Sequence, residues 1–244
     1  MMASRVEPKQ RLLAPALVIP FGLAIGLVLY GNFLGLVDSL TAPVLVRSVG
    51  AVALGLGIVV VGLRRGLLTR LGLRRGNLWP SLGLGTAVGL IMGLPGVIYL
   101  LFGALVPLSA ASGFHEPTHR GELALFVFGH LLIATALTEE LAFRGLLQTM
   151  LKPAIGQRAA LLVTACAWAA WHLAVNAHTL ASLSAARSAA AVALAFLVQN
   201  LAVLAGGLLL GWLREKHDNL AGCILAHWIA DILLVGSFYL GGLM

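Results

Sequence analysis

Three short stretches of this chain place acid–base side chains in apolar surroundings. The first is Glu139-Glu140-Leu141-Ala142-Phe143-Arg144, which follows the apolar run 123–137, whose single ionisable residue is His130. The second is Trp168-Ala169-Ala170-Trp171-His172, and the third is His227-Trp228-Ile229-Ala230-Asp231. An ionisable group at membrane depth costs roughly 2.5–3.5 kcal/mol on insertion scales unless it is paired or wet. On a helix, Glu140 and Arg144 lie one turn apart in the acid-first order that favours a pair. Glu139 points about 100° away from Glu140. One acid is thereby neutralised while the other is left for chemistry. Trp168 and His172 share one helical face, as do His227 and Asp231.

Taken singly, each feature also has a packing explanation. A histidine in a membrane span commonly serves as a helix-to-helix hydrogen bond. His130, with no partner at helical spacing, reads that way, and Gln199 with Asn200 reads as glue between helices. The combination carries the chemistry, and it suits hydrolysis. A buried carboxylate can act as general base, with a histidine sharing the activation of water. A second histidine and a polar partner can hold the oxyanion formed when a carbonyl is attacked. Glu139, His172 and His227 are alternatively a zinc set with water in the open position. Neither His-Glu-x-x-His nor Gly-x-Ser-x-Gly occurs.

The elements that must position these groups are membrane helices. Of the 244 residues 60% are hydrophobic and 10% charged, with mean hydropathy +0.99, against about 25% charged in a soluble domain. The expected fold is all-α: one polytopic transmembrane bundle, 1–244, of about seven to eight helices. Spans are expected at 12–36, 43–63, 82–106, 123 to about 150, 159–175, 189–213 and 220–240. Asp38 and Ser39 make the first turn, Pro95 kinks the third span, and Lys152 with Pro153 end the fourth. Between spans two and three, five arginines interleaved with leucines (64–75) suggest an interfacial basic helix. A polar loop, 109–122, carries His115, Glu116, His119 and Arg120. Gly85, Gly89 and Gly93, and later Gly207 and Gly211, mark faces where another helix can come close. Cys166 and Cys223 read as small buried residues with no disulfide implied.

The net charge of +7 does not point to nucleic acid, because the basic residues sit between apolar runs. Placing the N-terminus in the cytoplasm puts thirteen of the sixteen lysines and arginines on that side, leaving Arg47, Arg120 and Arg187 opposite. The basic start (Arg5, Lys9, Arg11) followed by a long apolar run reads as a retained first span. The expected location is a bacterial or archaeal plasma (inner) membrane. Counting from the basic end, His172 lies deeper than Glu139. The two can meet only if span five starts deeper, tilts, or lines a conical, water-filled cavity open to the cytoplasm.

Glu-Glu-x-x-x-Arg, an aromatic-x-x-x-His and His-x-x-x-Asp, in this order on separate spans, resemble the CPBP (Abi) family, which includes the type II CAAX prenyl endopeptidases. The resemblance covers about 123–240, the expected catalytic core. Trp168 stands where Phe is usual, and Asp231 where Asn is common. The resemblance implies an intramembrane endopeptidase in which Glu139 and His172 activate water. It assigns the oxyanion to His227 and Asp231, and support of the pocket to Glu140, Arg144 and Trp168. It implies no cofactor, with zinc as the alternative. The partners are the bilayer and a membrane-associated peptide or protein, lipidated in part of the family. Two other classes stay open: a non-catalytic membrane scaffold or immunity protein, and a proton-coupled carrier.

Overall fold

The computed structural model describes residues 8–38, 43–102, 123–183 and 188–242. The polar loop 109–122, the turn at Ser39, and Arg5 and Arg187 lie outside the described residues. Among the described residues eight helices follow one another. They are α1 (Pro8–Asp38), α2 (Pro43–Arg64), α3 (Leu78–Phe102), α4 (Leu125–Ile155), α5 (Gln157–Trp171), α6 (Leu173–Leu183), α7 (Ala189–His217) and α8 (Ala221–Gly242). Among the described residues, five stretches are long and apolar enough to cross a membrane: 17–36, 78–98, 125–155, 157–181 and 189–217. Two shorter apolar helical stretches, 48–64 and 221–237, lie beside them. Large apolar side chains such as Ile25, Leu29, Leu90, Ile91, Leu194 and Leu197 remain exposed on α1, α3 and α7. That is the surface lipid favours, and the polar residues turn inward.

The small residues decide which helices touch. A Cβ added to Gly89 would stand 2.6 Å from the Ala226 carbonyl oxygen, and one added to Gly96 would stand 2.6 Å from that of Leu233. Gly85 abuts Gly222 in the same register. The pairings rise together along both helices, so α3 and α8 run parallel, backbone against backbone. On α7, Gly207 faces Ala165 and Trp168, and Gly211 faces Leu161 and Gln148. Here the order is reversed, so α5 and α7 are antiparallel. Asn176 bridges α6 to α7 by donating to Asn200 Oδ1 (3.1 Å) and accepting from Gln199 (3.0 Å). That is the interhelical role expected of the Gln199–Asn200 pair.

Three expectations are corrected. The arginine-rich segment after α2 is a chain of turns, not a helix. Gly66, Gly72 and Asn77 adopt positive φ (64°, 85° and 55°), which breaks helical continuation. Leu71 is buried there, and the segment docks on the α7–α8 turn: the Arg214 guanidinium donates to the Arg70 carbonyl and Asn219 to those of Arg74 and Gly76. Second, α4 does not stop at Lys152 and Pro153 but continues to Ile155, where Gly156 (φ 81°) turns the chain into α5. Third, Cys166 is exposed; Cys223 is buried as expected, and neither is in a disulfide.

Gly89→Ala should lower stability by about 1–3 kcal/mol, the cost of overpacking a tight contact. Gly57→Ala, where a Cβ meets nothing within 4 Å, should leave it unchanged. Thermal unfolding of the two variants in detergent micelles reads the difference.

Candidate active site

The tight hairpin at Gly156 is what brings the first two motifs together. Glu139 lies 16 residues before Ile155 (155 − 139), and His172 lies 15 residues after Gln157 (172 − 157). Measured from the Gly156 turn, the two side chains stand at the same height on an antiparallel hairpin. The depth mismatch expected from the sequence came from counting Glu139 from Arg144; counted from the turn it disappears.

α4 is not a uniform helix. Wider π-helical windings, Leu125–Leu137 and Leu141–Leu147, flank one ordinary turn, Thr138–Glu140. The Thr138 hydroxyl donates to the Ile133 carbonyl five residues back (3.0 Å), in keeping with i→i+5 geometry. Such windings recur at functional sites. The two adjacent acids sit on the ordinary turn between them, and both are buried.

Glu140 and Arg144 pair as expected, at 2.8 Å, with neither side chain exposed. The second Arg144 amino group donates to the Gly207 carbonyl (3.1 Å), and its guanidinium lies over the Trp168 ring at 4.6 Å. The same Glu140 oxygen accepts from His227 Nδ1 (2.9 Å). A carboxylate only accepts, so Nδ1 carries the proton. His227 Nε2 faces Asp231 Oδ2 at 3.6 Å. One carboxylate therefore ties α4 to α8 directly and, through Arg144, to α7.

Glu139 faces another way. Its Oε2 accepts from Trp168 Nε1 (2.7 Å) and stands 3.6 Å from His172 Nε2. His172 Nδ1 is 2.8 Å from the Trp168 carbonyl oxygen, so the proton sits on Nδ1 and Nε2 is presented to Glu139. Trp168 stands between the two groups, its ring edge-on to His172 (4.8 Å) and to His227 (5.4 Å).

α5 ends at Trp171, and His172 itself has φ −89°, ψ −1°, the bridge region where many active-site residues lie. A continuous helix would bond Ala174 N–H to Ala170 C=O. Asn32 of α1 inserts there instead: its Nδ2 donates to Ala170 O (2.8 Å) and its Oδ1 accepts from Ala174 N (2.8 Å). Gly31, one residue earlier, leaves the space that the Trp171 ring occupies. Sequence reasoning missed Asn32. A lone asparagine among aliphatic residues was the available signal, but its partners lie 138 and 142 residues away.

A narrow cleft borders Glu139. It is lined by Gly31, Leu34, Gly35, Ala51, His130, Ala134, Thr135, Glu139, Trp171 and Val175. Gly31 and Gly35 belong to the end of α1, and Ala51 to the start of α2. Its lining from α1 and α2 therefore comes from the half of the bundle away from the arginine-rich segment.

Among the described residues no three histidine, cysteine, aspartate or glutamate side chains gather closely enough to hold a metal ion. Glu139 with His172 and Glu140 with His227 form separate pairs on either side of Trp168.

Residues 121–233 match the family model of the Rce1-like type II CAAX prenyl endopeptidases. The matched stretch is a little under half of the chain. No curated protein and no solved structure matches the chain. The match supports the class of intramembrane CAAX-type proteases at the family level, and the apolar helices are those of an integral membrane protein. The matched region contains all three polar stretches, whereas Asn32, Gly31 and Gly35 lie outside it, in α1.

Arg144→Met should destabilise the protein by about 3–5 kcal/mol, because Glu140 is left charged and enclosed. Glu140→Met with Arg144→Met should recover most of that loss. The midpoint of thermal unfolding in detergent, compared across wild type, single and double variants, measures both effects.

Proposed function

We propose that this protein is an intramembrane endopeptidase that hydrolyses a peptide bond of a membrane-associated peptide or protein, with water activated by Glu139 and His172. The observation that carries the reading is the Glu139 carboxylate: enclosed, oriented by the Trp168 N–H at 2.7 Å, and facing His172 Nε2 at 3.6 Å. The family match over 121–233 supports the same reaction class. At 3.6 Å the carboxylate and imidazole are too far apart for a direct hydrogen bond, yet both can touch one water molecule lying beside them.

In the proposed reaction, Glu139 takes a proton from that water as its oxygen bonds to the substrate carbonyl carbon. His172 shares the proton through Nε2. The carbonyl π electrons move to oxygen, giving a tetrahedral oxyanion. His227 is held at Nδ1 by Glu140 and accompanied by Asp231 at Nε2. As the imidazolium, between two carboxylates, it is proposed to donate from Nε2–H the hydrogen bond that stabilises this oxyanion. The C–N bond then breaks as the proton passes from Glu139 to the departing amine. Glu140 and Arg144 serve as the fixed frame. No metal takes part in this scheme.

The substrate class follows the family: a peptide tail brought to the site by its membrane anchor, with a prenylated tail as the natural first probe. The N-terminus is proposed to be cytoplasmic. The turns after α2, between α4 and α5, and between α7 and α8 share one end of the bundle, and they carry Arg64, Arg65, Arg70, Arg74, Arg75, Lys152, Arg158, Arg214 and Lys216. Such an excess favours the cytoplasmic side.

Purified protein should cleave an internally quenched peptide ending in a farnesylated Cys-aliphatic-aliphatic-X tail, or its unmodified counterpart. Glu139→Gln should lower kcat by at least about 100-fold, the scale of general-base loss, and His172→Ala should do likewise. Both proteins should still elute as folded monodisperse species. Cleavage that persists in both variants would place the chemistry elsewhere. Variants that lose stability while keeping a cellular effect would favour the scaffold reading.

A further inference from the structure

We infer that the cavity at the basic end of the bundle is a binding site for a phosphate ester, with an anionic phospholipid headgroup as its expected source. The inference goes beyond the proposed hydrolysis and does not rest on it. The part of α4 that reaches the cavity begins at Thr149, ten residues beyond Glu139 (149 − 139). That is about 15 Å along a helix, so the cavity is separate from the site described above.

The turns after α2, the end of α4 and the end of α7 with its following turn enclose about 310 Å³. That volume falls at the lower end of small-molecule sites, which run from about 300 to 1,000 Å³. Every residue lining it is charged or a threonine. Its charge does not balance: Arg70, Arg74, Lys152 and Arg214 line it with Glu215 and Asp218, a net of +2 (4 − 2). Both acids are already engaged. Asp218 pairs with Arg74 and with Arg214. Glu215 pairs with Lys152 and accepts from Gln148 at 2.9 Å. Among the described residues the Arg70 guanidinium has no hydrogen bond or ion pair; only its carbonyl is used, by Thr149 and Arg214.

Two further donors are orphaned. The Nε atoms of Arg74 and Arg214 are buried with no hydrogen-bond partner among the described residues. The Arg214 side chain is 6% exposed and is fixed by Asp218 and by the Arg70 carbonyl at 3.0 Å. Buried cationic donors without partners are costly, and a bound ion is one of the few ways to account for them. The cationic wall is thus built into the fold, and an anion in the cavity would offset its excess charge.

The level of the cavity points to the source. Trp212, two residues before Arg214, is 42% exposed and carries Lys216 over its ring at 4.9 Å. Trp79, at the start of α3, is 79% exposed. Exposed tryptophans mark the headgroup level of a membrane protein. Arginine holds phosphate oxygens through its planar fork, and basic pockets between membrane helices take anionic headgroups. A soluble phosphate offers the same chemistry, so the test separates the two.

Thermal unfolding of the full chain in detergent micelles is read with three probes: short-chain phosphatidylglycerol, short-chain phosphatidylcholine and inorganic phosphate. Phosphatidylglycerol should raise the wild-type midpoint in a concentration-dependent way, and phosphatidylcholine should raise it less. Arg70→Gln, which breaks no internal pair, should keep the unliganded midpoint. It should need about tenfold more phosphatidylglycerol for the same shift, the scale of one charge-assisted hydrogen bond. Arg70→Lys, which keeps the charge without the fork, should fall between. Arg65→Gln, at an exposed arginine outside the cavity, should respond as wild type does. Should Arg70→Gln fail to fold, Arg70→Lys against Arg65→Lys reads the same contrast. An Arg70-dependent response to inorganic phosphate and none to phosphatidylglycerol would keep the site and assign it to a soluble phosphate ester. Equal losses in Arg70→Gln and Arg65→Gln would reduce the effect to surface charge and overturn the inference. So would no response to either phosphate probe, or an equal response to phosphatidylcholine.

Discussion

A charge in a membrane bundle must be satisfied by the protein itself, and Glu140 is where that constraint acts most strongly. Its carboxylate has no exposed surface, and one oxygen accepts from both Arg144 and His227. Arg144 in turn caps the Gly207 carbonyl and lies over Trp168. Removing any one partner strands a charge or dipole where water cannot replace it. Three helices, α4, α7 and α8, are therefore held in one arrangement by a polar knot. The smallness of Gly207 lets α7 come close enough to complete it. The neighbouring Glu139 inherits a fixed position from this frame without being consumed by it.

Trp168 converts that frame into a site. Its ring is bracketed by Arg144, His172 and His227, while its N–H points at Glu139. Phenylalanine could fill the same space but would leave the Glu139 oxygen without this donor. The break at His172 adds a second layer of control. Asn32 replaces the lost Ala174–Ala170 hydrogen bond with two of its own, so the imidazole leaves the regular helix without stranding backbone groups in an apolar interior. Through Asn32, α1 acts on the geometry of a site whose ionisable groups lie on α4, α5 and α8.

Much of this was legible because membrane composition leaves few choices. The Glu140–Arg144 turn and the glycine faces follow from local spacing, and five of the seven expected spans are long and apolar enough to cross a membrane among the described residues. Two kinds of information were not local. The π-helical winding of α4 changes which residues share a face, so a 3.6-residue rule set His130 apart from Glu139. The roles of Asn32 and Gly31 depend on contacts with α5 that no spacing within α1 reveals. The arginine-rich segment misled for a different reason. Its charges and leucines fit an interfacial helix, but Gly66, Gly72 and Asn77 take positive φ and turn it into a plug against the α7–α8 turn.

The central claim is that Glu139 acts as an oriented base, held by Trp168 within this frame. A double-mutant cycle on the cleavage rate tests it most directly, using Trp168→Phe and Glu139→Gln singly and together. If the indole works through the carboxylate, the double variant will be no slower than Glu139→Gln alone. Independent, multiplying losses would contradict the account.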